Sequence, residues 1–117
     1  MLSNKELGRA GEEIAREYLE NLGYQILEKN YRCKHGEIDL IAKKDNVVIF
    51  IEVKTRKSTS YGDPEESINS LKIKKIRSSA NHFICFKNLY DFDISFEVIS
   101  IKLHSGKYFI KHIKNAF

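Results

Sequence analysis

Three charged side chains, Asp39, Glu52 and Lys54, stand within apolar runs of the segment GEIDLIAKKDNVVIFIEVKTR, residues 36–56. Removing such groups from water is costly unless partners offset the loss. Two carboxylates and an ammonium brought together can neutralise one another in a salt-bridged sheet. They can also hold a hard divalent cation against a phosphate. Mg2+ or Mn2+ takes carboxylate oxygens and completes its shell with water and substrate phosphates. In that case the cation polarises a phosphoryl oxygen and activates a bound water, while Lys54 orients the water or stabilises transition-state charge. An acid-x-lysine on a strand fits the salt-bridge reading better when it stands alone. An acid at the matching position of the preceding strand makes the pattern more specific for a cation site.

That match depends on the strands. EIDLIAKK and NVVIFIEVKT form a hairpin around Asp45-Asn46, two residues that tolerate turn conformations. Symmetric pairing sets Lys44 against Val47, Asp39 against Glu52 and Glu37 against Lys54. Residues directly opposite share a face, with Cβ atoms roughly 4.5–5.5 Å apart, and alternation puts Glu52 and Lys54 on the same side. Facing carboxylates repel, and the remedies are a shared proton, the nearby lysine or a cation. The second strand is apolar on both faces from Val47 to Ile51, which predicts a central, covered position.

The remaining elements follow from periodicity and punctuation. Leu7, Gly11, Ile14, Ala15, Tyr18, Leu19 and Leu22 form one helical stripe, so residues 4–22 read as an amphipathic helix stopped by Gly23. YQILEKNYR reads as the first strand. RKSTSYGDPEES is a polar loop ending in a helix start, with Asp63 as N-cap, Pro64 at the first helical position and Glu66 three residues after the cap. This helix is expected to run to about Phe86, with Ile68, Ile76, Ala80 and Phe83 as its stripe. ISFEVISI and KYFIKHI read as closing strands joined by a turn at Ser105-Gly106. The order predicts one α/β domain over residues 1–117, a mixed β-sheet flanked by α-helices.

The motifs resemble those of a known superfamily. GEIDLIA followed by FIEVKTR is similar to the PD-(D/E)xK nucleases, whose core carries an Asp on one strand and Glu-x-Lys on the next; here Ile38 precedes Asp39 in place of the proline. GRAGEEIAREYL, NYRCKHGEIDLIA, FIEVKTR and SLKIKKIRSSA resemble, in order, the YraN-like family of small bacterial predicted endonucleases, over roughly residues 8 to 113. The resemblance implies a restriction-endonuclease-like fold and a metal-dependent nuclease acting on DNA, with Asp39 and Glu52 as ligands of Mg2+ or Mn2+ and Lys54 as a catalytic group. It also implies that Glu12, which matches the GE of the first motif, completes the acidic cluster. On the helical wheel Glu12 borders the apolar stripe while Glu13 points away. The alternative for Glu12 is an exposed acid favoured near a helix N-terminus.

The chain carries a formal charge of +4, which suits a polyanionic partner such as nucleic acid without requiring one. Lys72 falls inside the second helix's apolar stripe and Lys75 at its border, where each is either a phosphate contact or a snorkelling side chain. Lys74 points to solvent. Arg32 and Arg56 flank the motif strands and match family positions, as phosphate contacts or ordinary surface arginines. Cutting both strands of a duplex is expected to call for a homodimer.

No apolar run approaches a membrane span, the polar N-terminus is unlike a signal peptide, and a cytoplasmic location with reduced Cys33 and Cys85 is expected. His35, His82, His104 and His112 form no ligand pattern. Two rivals to a nuclease stay open: a nucleic-acid-binding module with this fold and no significant catalysis, and an interaction domain whose charges are structural.

Overall fold

Ser3 opens the first helix, α1 (Asn4–Asn21), with a reciprocal cap: its hydroxyl accepts from the Glu6 N–H and the Glu6 carboxylate accepts from the Ser3 N–H, both at 3.1 Å. The computed structural model describes residues 2–57 and 69–117. Leu7, Gly11, Ala15 and Leu19 form the buried stripe of α1, and the chain leaves the helix through Gly23 at φ 91°, a conformation that glycine adopts without steric cost.

Five strands and a second helix follow: β1 (Gln25–Cys33), β2 (Gly36–Lys44), β3 (Val47–Lys57), α2 (Ser70–Lys87), β4 (Asp93–His104) and β5 (Lys107–Ile113). They form one mixed sheet in the order β1-β2-β3-β4-β5. Neighbours are antiparallel except β3 and β4, which run parallel. A parallel pair needs a crossover connection, and α2 lies in it. The hairpin register is the expected one, Lys44 opposite Val47 and Leu40 opposite Ile51, with Asp45 taking up the positive φ of the turn at 53°. The closing turn is also where the sequence put it, with Ser105 and Gly106 both at positive φ.

The two helices cover opposite faces. Ala15, Leu19 and Tyr24 pack with Leu40, Ala42, Ile49, Ile51, Ile99 and Ile101 under α1. Ile76, Ala80, Phe83 and Ile84 of α2 pack with Ile38, Ile41, Val48 and Phe50 on the other side. Central β3 therefore divides its side chains between two cores, which is why Val48 to Ile51 are all apolar and buried.

The start of α2 differs from the expectation. Its N-cap is Asn69, in extended backbone (φ −112°, ψ 174°), with the Asn69 side chain accepting from the Lys72 N–H at 2.9 Å. Asparagine is among the best residues for satisfying an orphan N–H there. The expected start at Asp63, Pro64 and Glu66, and the stripe residue Ile68, lie outside the described residues. No described helix is long and apolar enough to cross a membrane.

Candidate functional site

The site forms where the β2–β3 ladder gives out. Paired positions run from Lys44–Val47 to Leu40–Ile51, and one more step sets Asp39 beside Glu52. There the Val53 N–H donates to Asp39 Oδ2 at 2.8 Å, so a side-chain oxygen stands where a strand carbonyl would. The neighbouring strand departs from regularity at the same level, with Asn30 of β1 at φ 53°. Backbone geometry thus fixes the Asp39 carboxylate at the edge of the paired region.

Glu52 and Lys54 follow Phe50 by alternation onto the α2 face of β3. Glu52 is buried, 7% exposed, and two ammonium groups share its Oε1: Lys72 Nζ at 2.8 Å and Lys54 Nζ at 3.4 Å. Asp39, Glu52, Lys72 and Lys75 line a cavity of about 210 Å3, closed by Gly36, Glu37 and Ile76. Gly36 lets α2 approach: at φ 146° it holds a conformation that L side chains rarely adopt, and a Cβ would lie 3.6 Å from that of Lys75.

These groups perturb one another. Burial pushes the Asp39 carboxyl up, and the Glu52 carboxylate pushes it further, to about 7, against the opposing Val53 hydrogen bond. Burial lowers Lys54, and the neighbouring Lys72 lowers it again, while Glu52 pulls the other way. Lys72 is also penalised by burial, but its hydrogen bonds to Glu52 and Lys54 outweigh that, and its pKa is raised. Glu12 is raised by burial and by the charges of Glu37 and Glu52, against the hydrogen bond from Asn30.

Asp39, Glu52, Lys54, Lys72 and Lys75 therefore meet in one place. Glu12 reaches the cluster only through its field. Half-buried, it lines an adjoining cavity of about 260 Å3 with Arg9, Glu13, Lys29, Asn30 and Leu40. Glu37, expected opposite Lys54, instead pairs across β1 with Arg32, whose Nε lies 3.6 Å from Glu37 Oε1. The Arg32 side chain is otherwise well exposed, and Arg56 extends the Glu52–Lys54 face of β3. Lys74 is exposed. Sequence reasoning missed Asn30; its signal was a poor strand former within an otherwise strand-like run.

Among the described residues, no three His, Cys, Asp or Glu side chains are arranged to hold a metal ion by themselves. Asp39 and Glu52 fit a Mg2+-type ion as two hard oxygen donors on a cavity wall, with water and phosphate oxygens left to complete the shell.

Fold and site together define a small α/β protein with an acidic pair and three lysines where the pairing of β2 with its central strand ends. The chain belongs to the uncharacterised protein family UPF0102, whose model matches residues 11–101. It is 46% identical over 116 residues to a UPF0102 protein of Clostridium perfringens strain 13, covering 97% of this chain and 95% of that one. A UPF0102 protein of Syntrophomonas wolfei is 45% identical, covering 97% and 99%. One from Clostridium botulinum strain 657 is 50% identical, covering 97% and 95%.

Proposed function

We propose that this protein is a divalent-metal-dependent phosphodiesterase acting on DNA, an endonuclease of the PD-(D/E)xK superfamily. The observation that carries the reading is the meeting of Asp39 and Glu52 at one cavity with Lys54 beside Glu52. Two acids that repel at neutral pH, with one of them raised to about 7, are poorly explained as mutual stabilisation. When bound there, Mg2+ or Mn2+ would supply Lewis-acid polarisation of the scissile phosphate and a more acidic water. Asp39 and Glu52 would hold it. Lys54, whose pKa is lowered, would orient the attacking water by hydrogen bonding. Lys72 and Lys75 would contact the phosphate backbone, with Arg32 and Arg56 extending the contact from the motif strands. Glu12 would add negative field beside the acidic pair.

One observation favours the second reading, a nucleic-acid-binding module without turnover. Lys72 already occupies Glu52 Oε1 at 2.8 Å, and an ion entering the cavity must share or displace that contact. The experiment is cleavage of labelled linear and branched DNA with Mn2+ by wild type and Lys54→Ala, with binding followed in parallel by fluorescence anisotropy. Cleavage lost in the variant with binding retained supports the nuclease. Cleavage that survives the substitution removes Lys54 from the chemistry. Salt-sensitive binding without cleavage by the wild type selects the binding module.

A further inference from the structure

Beyond the acidic cavity, α2 carries a strip of rings that the phosphodiesterase reading does not use. Lys72, Lys75, His82 and Phe86 lie at helical spacing along one side of α2, with Ser79 between them buried against Gly36. The strip starts at the cavity wall, where Lys75 faces Gly36, and ends at Phe86, about 16 Å further along the helix axis by its rise per residue. Phe86 is 71% exposed. Its ring lies nearly parallel to that of His82, at 17° and 6.4 Å between centroids. His35, from the β1–β2 turn, adds a third ring 6.0 Å from His82. The His82 ring is held in place: its Nδ1 shares a hydrogen bond with the Tyr31 hydroxyl, and Tyr31 packs edge-on against buried Phe83.

The charge around these rings is mainly positive. From Asn69 to Tyr90 the chain has five lysines and arginines and no acid, and the turn beside it adds Lys34; Arg32 at the end of β1 is paired with Glu37. Lys87 Nζ lies 5.4 Å from the centre of the Phe86 ring. Exposed aromatic faces within a cationic track match a polyanion whose bases are unstacked, because every base offers a π-face while its phosphates meet the lysines. A duplex keeps its bases stacked inside and has little use for rings on an open helix face.

We propose that His35, His82 and Phe86 form a stacking platform for single-stranded nucleic acid, leading a strand along α2 toward the Asp39–Glu52 cavity. This rests on the reading of that cavity as a phosphodiester site for its direction, and on the rings and charge alone for the binding. The substrate class would be single strands, or the unpaired arms of branched DNA.

The test is fluorescence anisotropy with labelled oligo(dT) of about 12 nucleotides, a usual span for one small single-strand-binding domain. A hairpin duplex of equal charge serves as comparison, in EDTA so that no cleavage intervenes. Phe86 is too exposed for its truncation to unfold the protein. Phe86→Ala is expected to weaken oligo(dT) binding by about 5- to 150-fold, the range for loss of one base–aromatic stack. Phe86→Trp should restore it, and the salt slope should stay unchanged. Unaltered oligo(dT) affinity in Phe86→Ala, or an equal loss on the duplex, overturns the platform. So does conversion of a dimer to a monomer by Phe86→Ala in sedimentation, which makes the strip a protein interface. Wild-type protein that binds oligo(dT) through Phe86 yet cleaves nothing with Mn2+ supports the platform and removes the nuclease reading, so the two fail separately.

Discussion

Replacing Asp39 with asparagine should make the metal-free protein more stable at neutral pH, although it removes a charge from an apparent salt-bridge cluster. The Asp39 carboxyl is pushed up from 3.8 to about 7, by burial first and by Glu52 second. Well below pH 3.8 both folded and unfolded chains carry the proton, and the site costs nothing. As pH rises toward 7 the unfolded chain ionises while the folded one holds its proton, so stability is lost progressively. Above 7 the loss is complete. At 1.36 kcal/mol per pKa unit, a raise of about three units amounts to a loss of up to about 4 kcal/mol at pH 8. Asparagine keeps an oxygen to accept from the Val53 N–H, which Asp39 Oδ2 does now at 2.8 Å, and carries no charge toward Glu52. Thermal melts in EDTA between pH 4 and 8 should show the two proteins converging at the acid end. At pH 8 the variant should melt higher, by about 4 °C for each kcal/mol recovered in a domain of this size. Adding Mg2+ should raise the wild type alone, because the variant keeps only one of the two carboxylates proposed to hold the ion. A variant that is less stable than wild type at pH 8 would refute the reasoning, since Asp39 would then be held by the lysines as a structural ion pair.

Two further outcomes follow from packing and charge. A Cβ at Gly11 would lie 1.8 Å from Thr55 Oγ1 and 2.8 Å from Thr55 Cβ. Gly11→Ala should therefore destabilise by about 1–2 kcal/mol in urea unfolding despite alanine's better helix propensity, and adding Thr55→Ala should recover part of the loss. Lys72→Met should lower stability at pH 7 by about 1–2 kcal/mol, below the full cost of breaking a buried pair because Lys72 is half-exposed. Lys54→Met should change it less, and equal effects would contradict the assignment of Lys72 as the counter-ion of Glu52.

The hairpin and its charged cluster were legible because the side-chain period of a strand leaves few choices. Once Asp45-Asn46 makes the turn, pairing and alternation carry Asp39 to Glu52 and Lys54 to the same face. Helix α1 and the two closing strands were legible from their stripe and their turns. What the pattern could not carry is where a ladder stops. Nothing local announces that Asp39 will accept the Val53 N–H, or that Glu37 will turn to Arg32. The helix start expected at Asp63 and Pro64 lies outside the described residues, and the reading passed over Asn69, which caps the described helix. A buried network on the α1 face was also invisible. The Tyr24 hydroxyl donates to Glu97 Oε1 at 2.9 Å, and His112 Nε2 lies 2.6 Å from the same oxygen. Its members sit 73 and 15 residues apart in the chain, a separation that no local motif spans.

The two lysines on Glu52 bear on what the cluster is for. Sequence neighbours Glu52 and Lys54 look like the ion pair, yet Lys72 from α2 lies closer, 2.8 Å against 3.4 Å, on the same oxygen. A sheet that only had to neutralise one buried acid would need one cation. Here the second is drawn the opposite way, Lys72 toward the charged form and Lys54 toward the neutral one. An ammonium whose charge is penalised by burial is a weaker counter-ion and still donates to a water or a phosphate oxygen. The division also has a topological cause. Lys54 rides on the rigid central strand, whereas Lys72 projects from the first turn of a helix. Repositioning Lys72 would leave Glu52 Oε1 with only the longer contact to Lys54, at 3.4 Å. The same side of α2 continues through Lys75 to the exposed rings of His82 and Phe86, so a polyanion that drew Lys72 toward its phosphates would remove the shorter of the two contacts on Glu52. If the proposed reading of the cavity holds, the arrival of a polyanion would loosen Glu52 for a cation.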